Sequence, residues 1–279
     1  MKLIEALLSE APNRPKAIIM AGAAGAGKTY LAKSAVIPNA PGFEYMNPDT
    51  YIEREVEPMN LTKASAQVDD KDVPSAIQGQ KNFIWDTTAS NAAKMVGGLF
   101  RKKQVPGLLN NETYDFMMVM VYADPMVSFL RNFQRERRVP KVAVLSTWNK
   151  VYGNIGAYSS KLGNNFVMYQ APVQDAEIKR EVEAFETAHK AGKLEEYFTN
   201  LLEKGGDKFS SSFKSEVPDE ELSPEELEKR QKSRAKTQEL FQTQIKELAK
   251  QFGMIKGQVD KYLKSEEEVA SRVKQFVAS

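Results

Sequence analysis

Short apolar runs that alternate with helical patterns organise the first 170 residues of the chain. Four of these runs have the length and composition of buried strands and lie at residues 16–21, 43–46, 82–85 and 114–123. Helical patterns follow most of them, and a fifth run at 165–170 comes after a predicted helix over 142–152. This alternation is typical of a parallel sheet with crossover helices on its faces. The pattern predicts an α/β fold with a five-stranded core.

The pattern changes after residue 174, where long charged helical stretches replace the strands. These stretches are interrupted at Gly205 and Gly206 and again by the Ser-rich residues 210–221. Glycine pairs and Ser-rich segments mark turns and loops, and few contacts are expected to cross a boundary of this kind. We therefore predict two parts, an α/β core at residues 1–174 and a charged helical extension at residues 175–279.

Two helices of the extension have clear starting signals. The sequence around Ser223 and Ser265 fits the capping-box pattern, in which a Glu follows the N-cap residue by three positions. Within the first of these helices, apolar residues recur at alternating spacings of four and three, at Phe241, Ile245, Leu248, Phe252 and Ile255. This spacing favours a helical hairpin or a short coiled coil, whose length Gly253 and Gly257 would limit. Self-association through these helices would be one use of such a seam.

A phosphate-binding motif stands directly after the first predicted strand. Its sequence, Gly22-Ala23-Ala24-Gly25-Ala26-Gly27-Lys28-Thr29, fits the Walker A pattern G-x-x-x-x-G-K-[ST] at every fixed position. Small residues let backbone N–H groups converge on phosphate oxygens, and the N-terminus of the next helix adds partial positive charge. We predict that this loop binds ATP, with GTP as the alternative, that Lys28 contacts the β- and γ-phosphates, and that Thr29 is a ligand of Mg²⁺. The competing interpretation is a Gly- and Ala-rich turn that binds nothing.

Composition narrows the chemistry that the remaining residues can supply. The chain has 39 Lys and Arg against 37 Asp and Glu, so its net charge favours neither nucleic acid nor a membrane as partner. It has no Cys and one His, which excludes thiolate nucleophiles and leaves general-base work to a carboxylate. No run approaches the roughly 20 apolar residues of a membrane span, and residues 1–12 lack the pattern of a secretion signal. The expected location is the cytoplasm.

Two acids follow strands, at the edge of the sheet where open α/β proteins bind their ligands. Asp49 comes after the second strand and has the position of a base that accepts a hydroxyl proton. Asp86 ends the third strand, as the Mg²⁺-binding acid of a Walker B strand does. Each has a structural alternative. Asp49 would place a charge in the first turn of a helix, and Asp86 would be the N-cap of a predicted helix over residues 89–100.

A group of arginines follows the fourth strand, on a helix that is predicted to end at Pro140. Arg131, Arg135 and Arg138 recur there at i, i+4 and i+7, with Arg137 beside them. A helix that closes over the nucleotide with these side chains would neutralise charge on the transferred phosphoryl group and exclude water. The alternatives are a solvated basic face and a docking patch for nucleic-acid phosphates.

The order of these motifs resembles the zeta-toxin and bacteriophage polynucleotide-kinase branch of P-loop kinases. The resemblance rests on the Walker A loop, on the sequences Asn-Pro-Asp and Trp-Asp-Thr-Thr, and on Arg-x-x-x-Arg-x-Arg-Arg-Val-Pro, and it covers roughly residues 16–170. It implies that Asp49 accepts the proton of the acceptor and that Arg131, Arg135 and Arg137 grip the phosphates of ATP.

These features predict an ATP-dependent P-loop kinase that uses Mg²⁺. Its acceptor would be a hydroxyl group, such as a nucleic-acid 5′-hydroxyl or one on a sugar nucleotide or another small metabolite. The alternative from another class is a P-loop ATPase that acts in assembly or remodelling through its helical tail. A glutamate beside Asp86 would favour that alternative, but Trp85 and Thr87 stand there instead. A third alternative, a binding module without activity, has no need of Lys28 and Thr29.

Overall fold

The structure is a computed structural model, and it describes residues 14–54, 61–97, 107–135, 139–209 and 222–279. Several sequence predictions lie outside these residues: the character of residues 1–12, the roles of Arg137 and Arg138, and the Ser-rich interruption at 210–221. Within the described ranges, no helix has both the length and the apolar character that a bilayer span requires.

Five parallel strands form a single sheet. They are β1 (Lys16–Ala21), β2 (Glu44–Met46), β3 (Phe83–Asp86), β4 (Asp115–Tyr122) and β5 (Phe166–Gln170), and their order across the sheet is β2-β3-β1-β4-β5. All residues of β1 and β3 are buried, as expected when helices cover both faces of a parallel sheet. The predicted α/β fold class and its five strands are confirmed, with strand ends that differ from the predicted ones by at most one residue.

Helices fill the connections between these strands. Before β4 they are α1 (Lys28–Leu31), α2 (Asp49–Arg54), α3 (Leu61–Gln67), α4 (Val73–Gln78) and α5 (Ala92–Met95). Between β4 and β5 they are α6 (Pro125–Phe133), α7 (Lys141–Gly153) and α8 (Ile155–Leu162). After β5 they are α9 (Ala176–Lys190), α10 (Leu194–Gly205), α11 (Pro224–Tyr262) and α12 (Glu266–Ala278). Two π-helical turns, at Ala32–Val36 and Val68–Asp72, extend α1 and join α3 to α4, and a short 3-10 turn at Ile37–Asn39 follows the first of them.

The predicted arginine helix is shorter than expected. α6 ends at Phe133, so Arg135 lies beyond the helix and does not share a helical face with Arg131. The reason is a tertiary contact, because the side-chain amide of Asn132 donates to the carbonyl of Val139 at 2.9 Å and accepts from its N–H at 3.0 Å. Pro140 then disfavours helical geometry at Val139 and is itself the N-cap of α7.

The extension packs on the rest of the chain. Both predicted capping boxes, at Ser223 and Ser265, are confirmed. α11 is one continuous helix of 39 residues that runs through Gly253 and Gly257, and its apolar seam packs on α7 and α10 of the same chain. A second copy of the chain would therefore have to use another surface, and self-association stays a prediction.

The chain passes the edge of β5 between its last two helices. The N–H of Lys264 donates to the carbonyl of Met168 in β5 at 2.8 Å. α12 then packs against the π-helical turn that follows α1. Right-handed crossovers from β1 to β2 and from β4 to β5 place this turn and α7 on opposite faces of the sheet. Its buried residues Val269, Val273 and Phe276 belong to the same hydrophobic cluster as the strands. The division of the chain at residue 174 stays a prediction, and this cluster includes residues from both sides of it.

Candidate functional site

The Walker A sequence forms the turn between β1 and α1, at the carboxyl edge of the central strand. Gly22, Gly25 and Gly27 have φ angles of +152°, +76° and +96°, which other residues rarely adopt. A Cβ at Gly22 would lie 2.6 Å from the carbonyl oxygen of Val121, and one at Gly25 would lie 3.0 Å from that of Ser128. The backbone of this loop therefore follows a path close to β4 and α6 that a side chain would obstruct.

Lys28 folds back over the start of the loop. Its ammonium nitrogen donates to the carbonyls of Gly22 at 3.0 Å and Ala23 at 3.4 Å, and it lies 4.0 Å from a carboxylate oxygen of Asp86. Thr29 follows in the first turn of α1 and is exposed. The ammonium group of Lys28 is thus held at the start of the loop by two backbone carbonyls and by Asp86.

A chain of polar contacts joins β3 to the end of β2. The hydroxyl of Tyr45 donates to Asp86 at 2.9 Å, and the side-chain amide of Asn47 donates to that hydroxyl at 3.0 Å. The carbonyl oxygen of the same amide accepts from the N–H of Asp49 at 2.9 Å. Sequence reasoning missed Tyr45 and Asn47, although their i, i+2 spacing at the end of a strand places them on one side of it.

Asp86 is almost completely buried, with 5% of its surface exposed. Burial raises the pKa of its carboxyl above the ordinary value, while Lys28 and the hydrogen bond from Tyr45 act in the opposite direction. Its structural alternative as a helix N-cap is wrong, because Asn91 caps α5 by accepting a hydrogen bond from the N–H of Lys94. Asp49 begins α2, so its alternative as a charge in the first helical turn is compatible with the structure.

One cleft of about 220 Å³ brings several of these side chains together. Lys28, Asp49, Asp86 and Arg135 all line it, although they come from four separate segments of the chain. Ser65 and Asp69 from the α3 region and the loop residues Thr87 and Thr88 complete its polar wall. The sequence pattern gave no signal for Ser65 and Asp69, because only the folding of α3 over the strand ends places them there.

Arg131 occupies a different position from Arg135. Its guanidinium donates to the carbonyl of Gly25 at 3.3 Å, so it lies directly against the phosphate-binding loop. Partial burial lowers its pKa from the ordinary value, and the nearby charge of Arg135 acts in the same direction. The two arginines thus approach the site from two sides, one at the loop and one at the cleft.

Comparison with known proteins agrees with this arrangement. The family model for the zeta toxin matches residues 4–143, which is just over half of the chain. The chain belongs to the zeta toxin family. The matched region of this zeta toxin family member begins before β1 and ends just inside α7, so it includes the loop, both acids and the arginines. Family and fold together support a P-loop phosphotransferase in the general sense.

Two solved structures are among those similar to the chain. One comes from work on the PezAT chromosomal toxin-antitoxin system of Streptococcus pneumoniae, with 15% identity, a TM-score of 0.38, and coverage of 72% of this chain and 95% of that one. The other is the sulfotransferase domain of the Synechococcus PCC 7002 olefin synthase, with 14% identity, a TM-score of 0.33, and coverage of 78% and 84%. No curated protein matches the chain.

Proposed function

We propose that the protein is an ATP-dependent phosphotransferase that moves the γ-phosphate of ATP to a hydroxyl group. The main support is the cleft beside the phosphate-binding loop, where Lys28, Asp49, Asp86 and Arg135 face one space. A cation for the phosphates, an acid that can accept a proton and an arginine are the side chains that phosphoryl transfer requires. Membership of the zeta toxin family agrees with this reaction class.

The residues present fit a nucleotide with Mg²⁺. Gly22 and Gly25 let the loop backbone lie close against β4 and α6, where a Cβ would collide. The other residues at 22–27 are Gly or Ala, so that backbone N–H groups of the loop can approach phosphate oxygens. Among the described residues, no group of three or more His, Cys, Asp or Glu could hold a metal by itself. Thr29 and Asp86 supply oxygen ligands of the kind that Mg²⁺ uses together with phosphate oxygens and water. When bound there, Mg²⁺ would neutralise charge on the β- and γ-phosphates.

Each side chain then has one task in the proposed reaction. Lys28 exchanges its contacts with loop carbonyls for contacts with phosphate oxygens, which are stronger acceptors. Asp49 takes the proton of the attacking hydroxyl, because its side chain lines the cleft. Asp86, which contacts Tyr45 and Lys28, helps to hold Mg²⁺ instead. Arg131, Arg135 and Arg137, the last of which lies outside the described residues, would meet the charge of the transferred group.

The cleft favours a sugar hydroxyl as acceptor. Asp49 and Asp69 supply acceptor oxygens, and Ser65 and Thr88 supply hydroxyls that can both donate and accept, in a space that suits a small polyhydroxylated group. Of the acceptors expected from the sequence, a nucleic-acid 5′-hydroxyl and a sugar nucleotide both present such a group.

The test is incubation of the protein with γ-labelled ATP, Mg²⁺ and a panel of acceptors that includes 5′-hydroxyl oligonucleotides and sugar nucleotides. Transfer of the label to an acceptor by the wild type, at a rate that falls strongly in Asp49→Asn, supports the proposal. Release of free phosphate at the same rate with and without every acceptor would overturn it and favour the ATPase alternative.

A further inference from the structure

The hydroxyl of Tyr152 uses all of its hydrogen-bonding capacity beneath the phosphate-binding loop. It accepts from the N–H of Ala23 at 3.3 Å and from the N–H of Ala123 at 3.2 Å, and it donates to the carbonyl of Val121 at 2.8 Å. The side chain is fully buried. Burial raises the pKa of this hydroxyl above its ordinary value, so the group stays protonated and able to donate.

These three bonds join the loop to the end of β4. Ala23 is the second residue of the Walker A sequence, and its carbonyl also accepts from the N–H of Ala26 at 3.2 Å. The peptide units on both sides of Ala23 are therefore fixed. The carbonyl of Val121, which Tyr152 contacts, is the group that a Cβ at Gly22 would strike. One oxygen atom thus fixes both the loop and the surface on which the loop lies.

Further hydrogen bonds connect the Tyr152 site to α6, the helix that carries Arg131. Ala123 directly precedes Asp124, whose carboxylate caps α6 by accepting from the N–H of Met126 at 3.0 Å. α6 ends two residues after Arg131, the residue that donates to the carbonyl of Gly25. Trp148, one helical turn before Tyr152, donates to the carbonyl of Ala123 at 2.8 Å and supports the same peptide.

We propose that Tyr152 is a positioning residue of the nucleotide site, whose hydroxyl sets the peptide of Ala23 so that the N–H groups of the following residues converge on the phosphates. It touches neither nucleotide nor acceptor and acts through the loop. This inference rests on the nucleotide binding proposed above. The family match ends at residue 143, so it does not include this position.

A second buried tyrosine provides a matched control. The hydroxyl of Tyr114 lies 3.0 Å from the carbonyl oxygen of Ala76 and 2.9 Å from that of Lys81, and its single proton is shared between these two acceptors. Tyr114 directly precedes β4 and so lies at the amino edge of the sheet, opposite the phosphate-binding loop. Tyr152→Phe and Tyr114→Phe each remove one buried hydroxyl, and both are expected to lower the melting temperature. Only the first removes a hydrogen bond to the loop.

The experiment measures the Kd of ATP, ADP and AMP for the wild type and for both variants, by calorimetry or competition with a fluorescent nucleotide. Tyr152→Phe is expected to raise the Kd of ATP and of ADP about tenfold. This change corresponds to about 1.4 kcal/mol, the scale of one buried hydrogen bond. The affinity for AMP, which lacks the β- and γ-phosphates, should fall by less. Tyr114→Phe should leave the affinities for all three nucleotides unchanged.

Other outcomes would overturn the inference in distinguishable ways. Unchanged ATP affinity in a folded Tyr152→Phe variant, or equal losses in both variants, would refute the role of Tyr152 while nucleotide binding stands. A wild-type protein that binds no nucleotide would refute the proposed function itself. Should Tyr152→Phe fail to fold, hydrogen exchange in the wild type decides. The Ala23 amide should be protected without nucleotide, and rapid exchange there would contradict the proposal.

Discussion

The ammonium nitrogen of Lys28 lies 4.0 Å from the carboxylate of Asp86, and the hydroxyl of Tyr45 donates to the other oxygen of that carboxylate. The acid is buried, and among the described residues Lys28 and Tyr45 lower its pKa and so favour its charged form. A buried acid whose pKa is raised lowers the stability of the folded state at neutral pH, and such costs are common where a group serves function.

This relationship predicts a pH-dependent effect of Asp86→Asn. Because the folded state raises the pKa of Asp86, the unfolded chain releases this proton first, near the ordinary pKa of 3.8. Above that pH the unfolded state binds fewer protons, so the stability of the wild type falls until the folded-state pKa is passed. The free energy of unfolding of Asp86→Asn, minus that of the wild type, should therefore rise across this window. Urea titrations at a series of pH values measure it, and a difference that stays constant would contradict the buried charge.

Lys28→Ala should weaken or abolish Mg²⁺-dependent ATP binding, because the β- and γ-phosphates lose their main side-chain partner. It also leaves Asp86 without its nearest cation, so a small loss of stability is expected as well. Calorimetry with ATP measures the first effect. Lys33→Ala, which removes an exposed lysine one turn further along, is the matched control and should bind ATP like the wild type. Equal affinity in Lys28→Ala and the wild type would contradict the prediction.

Asp49→Asn should leave ATP binding nearly intact while the rate of transfer falls by a factor of about 10² or more, the usual scale for loss of general-base assistance. Single-turnover transfer of labelled phosphate separates this effect from binding. Asp115→Asn, at the opposite edge of the sheet, is the control and should transfer normally. Full transferase activity in Asp49→Asn would leave Asp49 with only its structural alternative, a charge in the first turn of α2.

Arg131→Ala and Arg135→Ala should each lower kcat by roughly 10², since both guanidinium groups would meet phosphoryl charge. Their other effects should differ. Arg131 contacts the loop, so its loss should also weaken ATP, whereas Arg135 lines the cleft, so its loss should raise the KM of the acceptor. Arg→Lys at either position should restore kcat only in part, because an ammonium group cannot make the bidentate contact with a phosphate that a guanidinium makes.

Steady-state kinetics at two salt concentrations test the role of these arginines. The competing interpretation, a docking face for nucleic acid, predicts a normal kcat with binding that weakens steeply as salt is added. An unchanged kcat in both variants at saturating ATP and acceptor would rule out their action on the transferred group.

Removal of all residues after 174 should leave an insoluble or poorly folded protein. Nine apolar residues of α11 and α12 are buried: Phe241, Ile245, Leu248, Phe252, Ile255, Val259, Val269, Val273 and Phe276. Each contributes about 1.5–3 kcal/mol on burial, and a domain is stable by only about 5–15 kcal/mol in total. Circular dichroism and thermal unfolding of the truncated chain measure the outcome. A soluble 1–174 fragment that unfolds cooperatively would instead support the two-part division predicted from the sequence.

Local patterns predicted the features that depend on neighbouring residues in the chain. Strands, the Walker A turn and both capping boxes are set by runs of a few residues, so their positions followed from the sequence. The end of α6 did not, because it depends on Asn132 contacting Val139 across seven positions. Gly253 and Gly257 also gave the wrong length for α11, since each costs a helix only about 1 kcal/mol and the buried face of that helix outweighs them.

Some residues of the candidate site could likewise be predicted from local sequence patterns, and others could not. Asp49 and Asp86 could be placed because the ends of parallel strands meet at one edge of the sheet. Tyr152 could not, because it lies on a helix more than a hundred residues after Ala23, and a tyrosine in a largely buried helix looks like any other core residue. The separation of Arg131 from Arg135 likewise depends on where α6 stops.

The ammonium group of Lys16, in the first strand, donates to the carbonyl of Val277 at 3.0 Å, across 261 positions of the chain. During synthesis the ribosome completes all five strands more than 90 residues before it reaches α12. Until then the part of the sheet that α12 covers, beside β4 and β5, stays exposed, and exposed apolar surface of this kind is prone to aggregate. Contacts between distant positions also form slowly. We therefore expect slow maturation of newly made chains and a dependence on chaperones that lasts until the final helix has docked.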